Sequence, residues 1–159
     1  MEVTFRMPTQ TKKGIIDPAK FFEIRMVITS ACNKLFMVLS AQEQLAQLLQ
    51  FVNCHVLATA FESAFLEFDL RRVSGHFGMP RIVDDQIATF DHSWLVPACA
   101  PDWVVDVSPF NGMITPSIVY VGEPPWAGLY RTSEEKELLS NDNQKKAVTA
   151  IVAMLKGLK

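Results

Sequence analysis

The sequence predicts an α+β fold in which helices pack on one side of an antiparallel sheet. Before Phe68 the apolar residues recur at the spacing of α-helices. From Leu70 onward they alternate in short segments rich in β-branched and aromatic residues, which is typical of strands. A last segment, around Gln144 to Leu155, returns to helical spacing. Because helices and strands occupy separate parts of the chain, we expect them to be segregated in space.

Length and composition indicate one globular domain that covers residues 1–159. Of the 159 residues, 49% are hydrophobic and 20% are charged, which suffices for a core without disulfides or metal. The formal net charge of −2 and the scattered Lys and Arg residues argue against a nucleic-acid partner. We see neither a signal peptide nor a run of about 18 apolar residues. We therefore expect no membrane segment and a cytoplasmic location; export by a signal-independent route would leave the same sequence. Nothing in the sequence indicates the oligomeric state.

The N-terminal region, residues 1–52, is predicted to consist of helices packed on the sheet. Asp17-Pro18 combines an N-cap acceptor with a proline at the first helical position. The run that follows has few charges and indicates a largely buried helix. A break or a strand at the β-branched residues 27–29 is the alternative. Ser40 and Glu43 have the spacing of a capping box and predict a second helix.

The central region, residues 53–131, begins with a third predicted helix. Asn53 is a suitable N-cap, which would put Cys54 at the first helical position. No Gly or Pro separates this helix from the preceding one, so a continuous helix through Cys54 is the alternative. The apolar stripe of the third helix consists of Val56, Leu57, Ala60, Phe61, Ala64 and Phe65.

Five short strands are expected after this helix. Clusters of Gly, Pro and Asp separate them, which favours an antiparallel sheet. The predicted strands are residues 70–77, 86–90, 92–96, 102–107 and 117–121. The segment YVGEPPWAGLY is predicted to be an ordered loop. A polar link then leads to the C-terminal helix, within residues 132–159.

Two polar residues of the fourth and third strands form a candidate imidazole–carboxylate pair. The midpoint between His92 and Asp106 is Cys99, in the centre of the turn PACAP. A hairpin centred there would place the two residues directly opposite on one face, with Cβ atoms about 4.5–5.5 Å apart. A two-residue turn at Cys99-Ala100 would instead pair His92 with Val107. Asp106 stands in the apolar run WVVDV, where an unpaired carboxylate is costly to bury. This favours a functional pair over a surface hairpin with unrelated polar residues.

A cysteine would complete this pair as a nucleophile. The first turn of a helix lowers the pKa of a thiol through its dipole and its free N–H groups, and Cys54 meets that description if Asn53 caps. Cys32, in TSACNK, is the competing candidate. Cys99 lies at the hairpin tip, which points it away from the pair. Each cysteine has the alternative of being a small buried hydrophobic residue.

The order of these residues resembles the transglutaminase-like core of the papain-like cysteine proteases. In that family a cysteine opens a helix, a strand ending in glycine follows, and two strands carry H-x-W and D-x-[ST] or D-x-x-P motifs. NCHVLATAFESAFLEFDLRRVSGHF, His92-Ser93-Trp94 and Asp106-Val107-Ser108-Pro109 are similar to these motifs. The resemblance covers about Asn53 to Pro109. It implies a papain-like fold in which residues 53–131 form the catalytic core.

The resemblance further implies acyl chemistry at a Cys54–His92–Asp106 triad. We expect a thiol-dependent hydrolase, that is a peptidase, amidase or deamidase, that forms a thioester and needs no cofactor. A transglutaminase or another acyltransferase would use the same triad. A non-catalytic binding module that retains the fold is the alternative from another class. The expected partner is a protein or peptide substrate.

Four further residues are expected at the substrate cleft. Trp94 shares a face with the histidine two residues before it and can shield it from water. Asn53 precedes the nucleophile, His76 lies on a neighbouring strand, and Trp126 stands in the Pro-rich loop. A zinc site of His55, His76 and His92 is a further hypothesis. We expect no metal, because no carboxylate or cysteine stands at a recognised ligand spacing.

Overall fold

The computed structural model confirms the α+β architecture. It describes residues 14–41, 50–83, 86–108, 116–133, 139 and 141–158, with the backbone alone for 79–83 and 86–90. The helices are α1 (Pro18–Ala41), α2 (Cys54–Ala64) and α3 (Asp142–Gly157), and a short 3-10 helix spans Leu66–Phe68. The strands are β1 (Leu70–Val83), β2 (Gln86–Pro97), β3 (Trp103–Asp106), β4 (Ser117–Tyr120) and β5 (Tyr130–Thr132). They form one antiparallel sheet in the order β4-β3-β2-β1-β5.

Helix α1 is a single helix rather than two shorter elements. Asp17 caps it as predicted, since its side chain accepts a hydrogen bond from the Lys20 N–H at 3.1 Å. The helix passes through residues 27–29 without a break and continues through Ser40. The prediction that Ser40 opens a second helix is therefore wrong, because the backbone around it is already helical. Glu43 and most of that predicted second helix fall outside the described residues.

One face of α1 belongs to the hydrophobic core. By length and composition α1 could cross a membrane, a test that the core helix of a soluble protein also passes. In the fold it packs against α3, and α3 packs against α2. The core joins these helices to apolar residues of β2 and β3; its fully buried members include Ile24, Ile28, Leu35, Val56, Phe61, Leu95, Val105, Ile151 and Leu155. The buried helix faces explain why the apolar residues recur at helical spacing.

The sheet differs from the prediction in three places, the first of which is β1, which continues to Val83 beyond the predicted end at residue 77. The segments 86–90 and 92–96, predicted as separate strands, belong to the single strand β2. This strand pairs with β1 along most of its length, with a register shift between Phe77 and Arg81. Strand β5 was missed, because Tyr130 to Thr132 lie where a loop and a polar link were predicted.

One long-range contact and one local helix cap fix the two ends of the fold. The backbone N–H of Ile16 donates a 2.7 Å hydrogen bond to the carbonyl of Cys99, which ties the segment before α1 to the β2–β3 turn. Asn141 caps α3 by accepting from the Gln144 N–H at 2.9 Å. Helix α3 thus starts slightly earlier than the predicted Gln144.

Candidate active site

Asn53 and Cys54 form a helix N-terminus that presents a thiol. Asn53 is extended, with φ −125° and ψ −178°, and its Oδ1 accepts the N–H of Val56 at 2.9 Å. Because of this side-chain cap, α2 begins at Cys54 and does not continue from the residues before it. The alternative of a continuous helix through Cys54 is therefore wrong. The half-buried Cys54 stands at the position where the N–H groups of a helix lack intrahelical partners.

His92 and Asp106 form the expected buried pair. The Nε2 atom of His92 lies 2.7 Å from Oδ2 of Asp106, whose side chain is 0% exposed. The register is not the predicted one. Leu95 pairs with Val105, which places Asp106 opposite Trp94 and makes His92 its diagonal neighbour. The hairpin is shifted by two residues from the predicted pairing, and a shift of two keeps each side chain on its face.

The Asp106 carboxylate is held by two further donors. The Tyr130 hydroxyl donates to Oδ2 at 2.8 Å, and the backbone N–H of Ser108 donates to Oδ1 at 3.0 Å. Burial and the neighbouring carboxylate raise the pKa of Tyr130, so its hydroxyl keeps the proton that it donates. Both oxygens of the buried carboxylate are thus hydrogen-bonded, which offsets the cost of removing the charge from water.

The thiol of Cys54 lies close enough to two histidine rings, His55 and His92, for both to affect its ionisation. Burial raises the pKa of Cys54, but the hydrogen bonds and charges of the two rings outweigh it and lower the pKa to about 6. Burial also disfavours the charged form of His92, but its hydrogen bonds to Asp106 and Cys54 raise its pKa to about 9. Between these two values the thiolate–imidazolium pair is the favoured state.

The other two cysteines have the opposite electrostatic environment. Cys32 lies in the interior of α1, where burial and the charge of Asp106 raise its pKa to about 12. Cys99 lies at the hairpin tip, and burial together with the charge of Asp17 raises its pKa. Raised pKa values disfavour both thiolates at neutral pH, so the electrostatic environment favours Cys54 over the competing Cys32.

Aromatic rings enclose the His92 imidazole. Trp94 is almost completely buried, and its ring stacks near His92 at a centroid distance of 6.0 Å. Phe77 lies 5.6 Å from the imidazole, and Tyr130 lies 4.8 Å from Phe77 and 5.1 Å from Trp94. These apolar surfaces reduce the access of water, which strengthens the hydrogen bond between His92 and Asp106.

The remaining predicted site residues lie at different places. Asn53 is the helix cap beside Cys54. The Nδ1 atom of the partly exposed His76 on β1 lies 3.1 Å from Oδ1 of Asp91 on β2. Trp126 is half-buried in the turn between β4 and β5. Contacts of these residues and of Trp94 with a substrate stay predictions.

Sequence reasoning missed Tyr130 and the hydroxyl partners of His55. Tyr130 stands at the end of a loop-like sequence, and only the pairing of β5 with β1 brings it to Asp106. Ser93 contacts His55 at 2.6 Å and Ser74 at 2.7 Å. The signal that could have found the two serines is their position inside predicted strands, where a buried hydroxyl needs a partner.

The three histidines do not converge on a metal site. His55 contacts Ser93, His76 contacts Asp91, and His92 contacts Asp106. In the part of the chain that the structure describes, no group of three His, Cys, Asp or Glu side chains could hold a metal ion. The hypothesis of a zinc site of three histidines is therefore wrong for these residues.

We compared the chain with protein-family models, curated proteins and solved structures, and none of them matches it. The residues around Cys54 themselves are therefore the basis of the functional proposal that follows.

Proposed function

We propose that this chain is a thiol-dependent hydrolase of the papain-like, transglutaminase-like type. It would act on an amide or related acyl bond through a Cys54–His92–Asp106 triad. The observation that carries the proposal is the 2.7 Å contact between the His92 ring and the buried Asp106 carboxylate, beside a Cys54 thiol whose pKa is lowered to about 6. Nucleophile, base and orienting group in this sequence are what nucleophilic catalysis on a carbonyl requires.

Acylation would begin with attack of the Cys54 thiolate on the carbonyl carbon. The developing oxyanion can accept a hydrogen bond from the backbone N–H of Cys54, which lies at the start of α2. The His92 imidazolium then gives its proton to the leaving nitrogen as the C–N bond breaks. The products of this step are a free amine, a thioester on Cys54 and a neutral His92.

Asp106 would act in this step by fixing the His92 ring. Its Oδ2 accepts from Nε2, which leaves Nδ1 as the ring nitrogen available to the thiol and the substrate. The charge of the carboxylate favours the imidazolium form that the leaving group needs. The hydrogen bonds from Tyr130 and Ser108 hold the carboxylate in that orientation.

Deacylation would use the same residues in reverse. Neutral His92 removes a proton from water, and the resulting hydroxide attacks the thioester carbon. The C–S bond then breaks, which releases a carboxylic acid and the Cys54 thiolate. If an amine took the place of water, the product would be a new amide and the enzyme a transferase. We propose a protein or peptide as substrate, since these carry the amide bonds that suit this chemistry.

Acylation by an activated ester tests the proposal without knowledge of the substrate. We expect p-nitrophenyl acetate to acetylate the protein with an initial burst of one p-nitrophenolate per chain, and the trapped adduct to be cleaved by hydroxylamine, as a thioester is. Intact-mass measurement and peptide mapping would place the acetyl group on Cys54. Cys54→Ala should abolish the modification, and Cys99→Ser should leave it unchanged.

Two results of this test separate the alternatives. Acetyl-enzyme that decays faster when an alkylamine is added, with formation of the acetylated amine, would identify a transferase. A wild-type protein that is acetylated no faster than Cys54→Ala would overturn the enzyme proposal and favour a binding module.

A further inference from the structure

A second histidine lies beside the nucleophile and has no role in the triad. The Nδ1 atom of His55 lies 2.6 Å from the hydroxyl oxygen of Ser93. That hydroxyl lies 2.7 Å from the hydroxyl of Ser74, its direct partner across β1 and β2. Ser93 is 1% exposed and Ser74 is 5% exposed, so both hydroxyls depend on protein partners. The three side chains form one hydrogen-bonded row that ends at the ring next to Cys54.

The hydroxyl row can select the form of the His55 ring. A neutral imidazole has one donor nitrogen and one acceptor nitrogen. If Ser74 donates to Ser93 and Ser93 donates to Nδ1 of His55, the ring proton is on Nε2. Each hydroxyl then donates one hydrogen bond, and the remaining ring nitrogen is a donor available to a negatively charged sulfur.

His55 and His92 contact the same thiol but differ in their supports. His92 is backed by the Asp106 carboxylate and the Tyr130 hydroxyl behind it, which favour its charged form. The groups described beside the His55 ring are the Ser93 hydroxyl and the Cys54 thiol, and neither of them is a carboxylate. His92 is therefore suited to transfer a proton, whereas His55 is suited to hold one in place.

We propose that His55, held by Ser93 and Ser74, is a second histidine of the active centre that stabilises the Cys54 thiolate without transferring its own proton. This inference rests on the function proposed above. The thiolate occurs at two points of that reaction, before attack on the carbonyl and when the C–S bond of the thioester breaks. In both, the Nε2–H of His55 donates to the sulfur while the proton needed by the leaving group or taken from water moves through His92.

The experiment that tests this inference is the pH dependence of Cys54 alkylation by iodoacetamide. The groups that face the thiol are His55 and His92, with Asp106 and Tyr130 behind His92. In the wild-type protein the alkylation rate should rise with a midpoint near pH 6. We expect His55→Ala to move this midpoint upward by about one pH unit, which corresponds to a tenfold change in the ionisation constant. Ser93→Ala should move it in the same direction by less.

Two control variants separate this role from a structural one. His76→Ala removes a histidine of the same sheet that contacts Asp91, and it should leave the midpoint unchanged. His55→Gln keeps an N–H donor and should recover part of the shift. A wild-type midpoint in His55→Ala would overturn the inference. If that variant does not fold, as seen by circular dichroism, a wild-type midpoint in Ser93→Ala would overturn it.

The outcome is independent of turnover. Alkylation requires only the thiolate, so the effect of His55 can be seen even if p-nitrophenyl acetate does not acylate Cys54. Absent acylation with a His55-dependent midpoint would refute the proposed function alone. Normal acylation, together with an alkylation midpoint that stays at the wild-type pH in the His55 and Ser93 variants, would refute only the present inference.

Discussion

The Nε2 atom of His92 and the Oδ2 atom of Asp106 lie 2.7 Å apart in a part of the sheet where the carboxylate is fully buried. A charge-assisted hydrogen bond of this length favours the imidazolium form of His92. The raised pKa of His92, about 9, keeps the ring charged at neutral pH beside a thiol whose pKa is lowered to about 6. These values favour the charged forms of Cys54 and His92 before any substrate binds.

Asp106→Asn should weaken the site without removing its shape. The neutral amide no longer favours the imidazolium, so the pKa of His92 should fall and that of Cys54 should rise. We expect acylation of Cys54 at neutral pH to slow by about 10²-fold or more. Asp102→Asn makes the same change at an exposed position of the same hairpin and should behave as wild type. Equal acylation rates in the two variants would mean that Asp106 does not support His92.

Selective alkylation should identify Cys54 among the three cysteines. Its lowered pKa means that the thiolate fraction rises as the pH passes about 6 and is nearly complete at pH 8. Burial raises the pKa of Cys32 to about 12, and the pKa of Cys99 is also raised, so both should react slowly in this range. Iodoacetamide followed by peptide mapping would measure the three rates. Similar slow labelling of all three cysteines would contradict the assigned electrostatics.

Asn53→Ala should test whether the cap of α2 lowers the pKa of Cys54 in addition to stabilising the fold. Loss of the side-chain hydrogen bond to Val56 should cost about 1 kcal/mol of unfolding free energy and should let the first turn of α2 fray, which raises the pKa of Cys54. Asn141→Ala removes an equivalent cap from α3, with the same 2.9 Å geometry. Both variants should lose similar stability in urea unfolding, but only Asn53→Ala should slow alkylation. Slower alkylation in both would show that stability alone is responsible.

The parts of the fold that depend on local chemistry could be predicted from the sequence. Asp17 and Asn53 begin helices because their side chains accept nearby backbone N–H groups, and such signals lie within a few residues. The shared face of His92 and Asp106 follows from strand alternation, which a register shift of two residues does not change. The contact between His92 and Asp106 could therefore be predicted although the predicted register was wrong.

The features that escaped prediction depend on contacts between distant residues. The position of the β2–β3 turn involves a hydrogen bond from Ile16 to Cys99, and the local sequence PACAP does not encode that bond. Strand β5 has only three residues, and it exists because Tyr130 to Thr132 can pair with β1. No local periodicity can appear in so short a segment. As a result, the hydrogen bond from Tyr130 to Asp106 could not be predicted from the sequence.

Tyr130→Phe should test the second donor of the carboxylate. The variant keeps the ring that packs on Trp94 and Phe77 but removes the hydroxyl that donates to Asp106. With one donor fewer, the carboxylate should interact more strongly with His92 and raise its pKa further. Unfolding free energy should fall by about 1.5–3 kcal/mol, the range for hydrogen bonds to charged groups. NMR titration of His92 would measure the first effect and urea unfolding the second.

Tyr120→Phe is the matched control for this variant. Tyr120 lies in β4 of the same sheet, and β3 separates this strand from β2. Its ring packs against Trp103. We expect no change in the titration of His92. A His92 pKa that stays at its wild-type value in Tyr130→Phe would indicate that the hydroxyl does not share the charge of Asp106.

Gly75→Ala should disconnect β5 from the site. Gly75 lies opposite both His92 and Thr132, and a Cβ atom there would collide with the backbone carbonyl of Arg131. Backbone cannot move aside as a flexible side chain can, so we expect β5 to separate and Tyr130 to leave Asp106. The unfolding free energy should fall by about 1–3 kcal/mol, and the His92 titration should change in the direction expected for Tyr130→Phe. Gly157→Ala, where a Cβ meets nothing within 4 Å, is the control and should keep both properties. A Gly75→Ala protein with wild-type stability and titration would contradict the close approach of β5 that brings Tyr130 to the carboxylate.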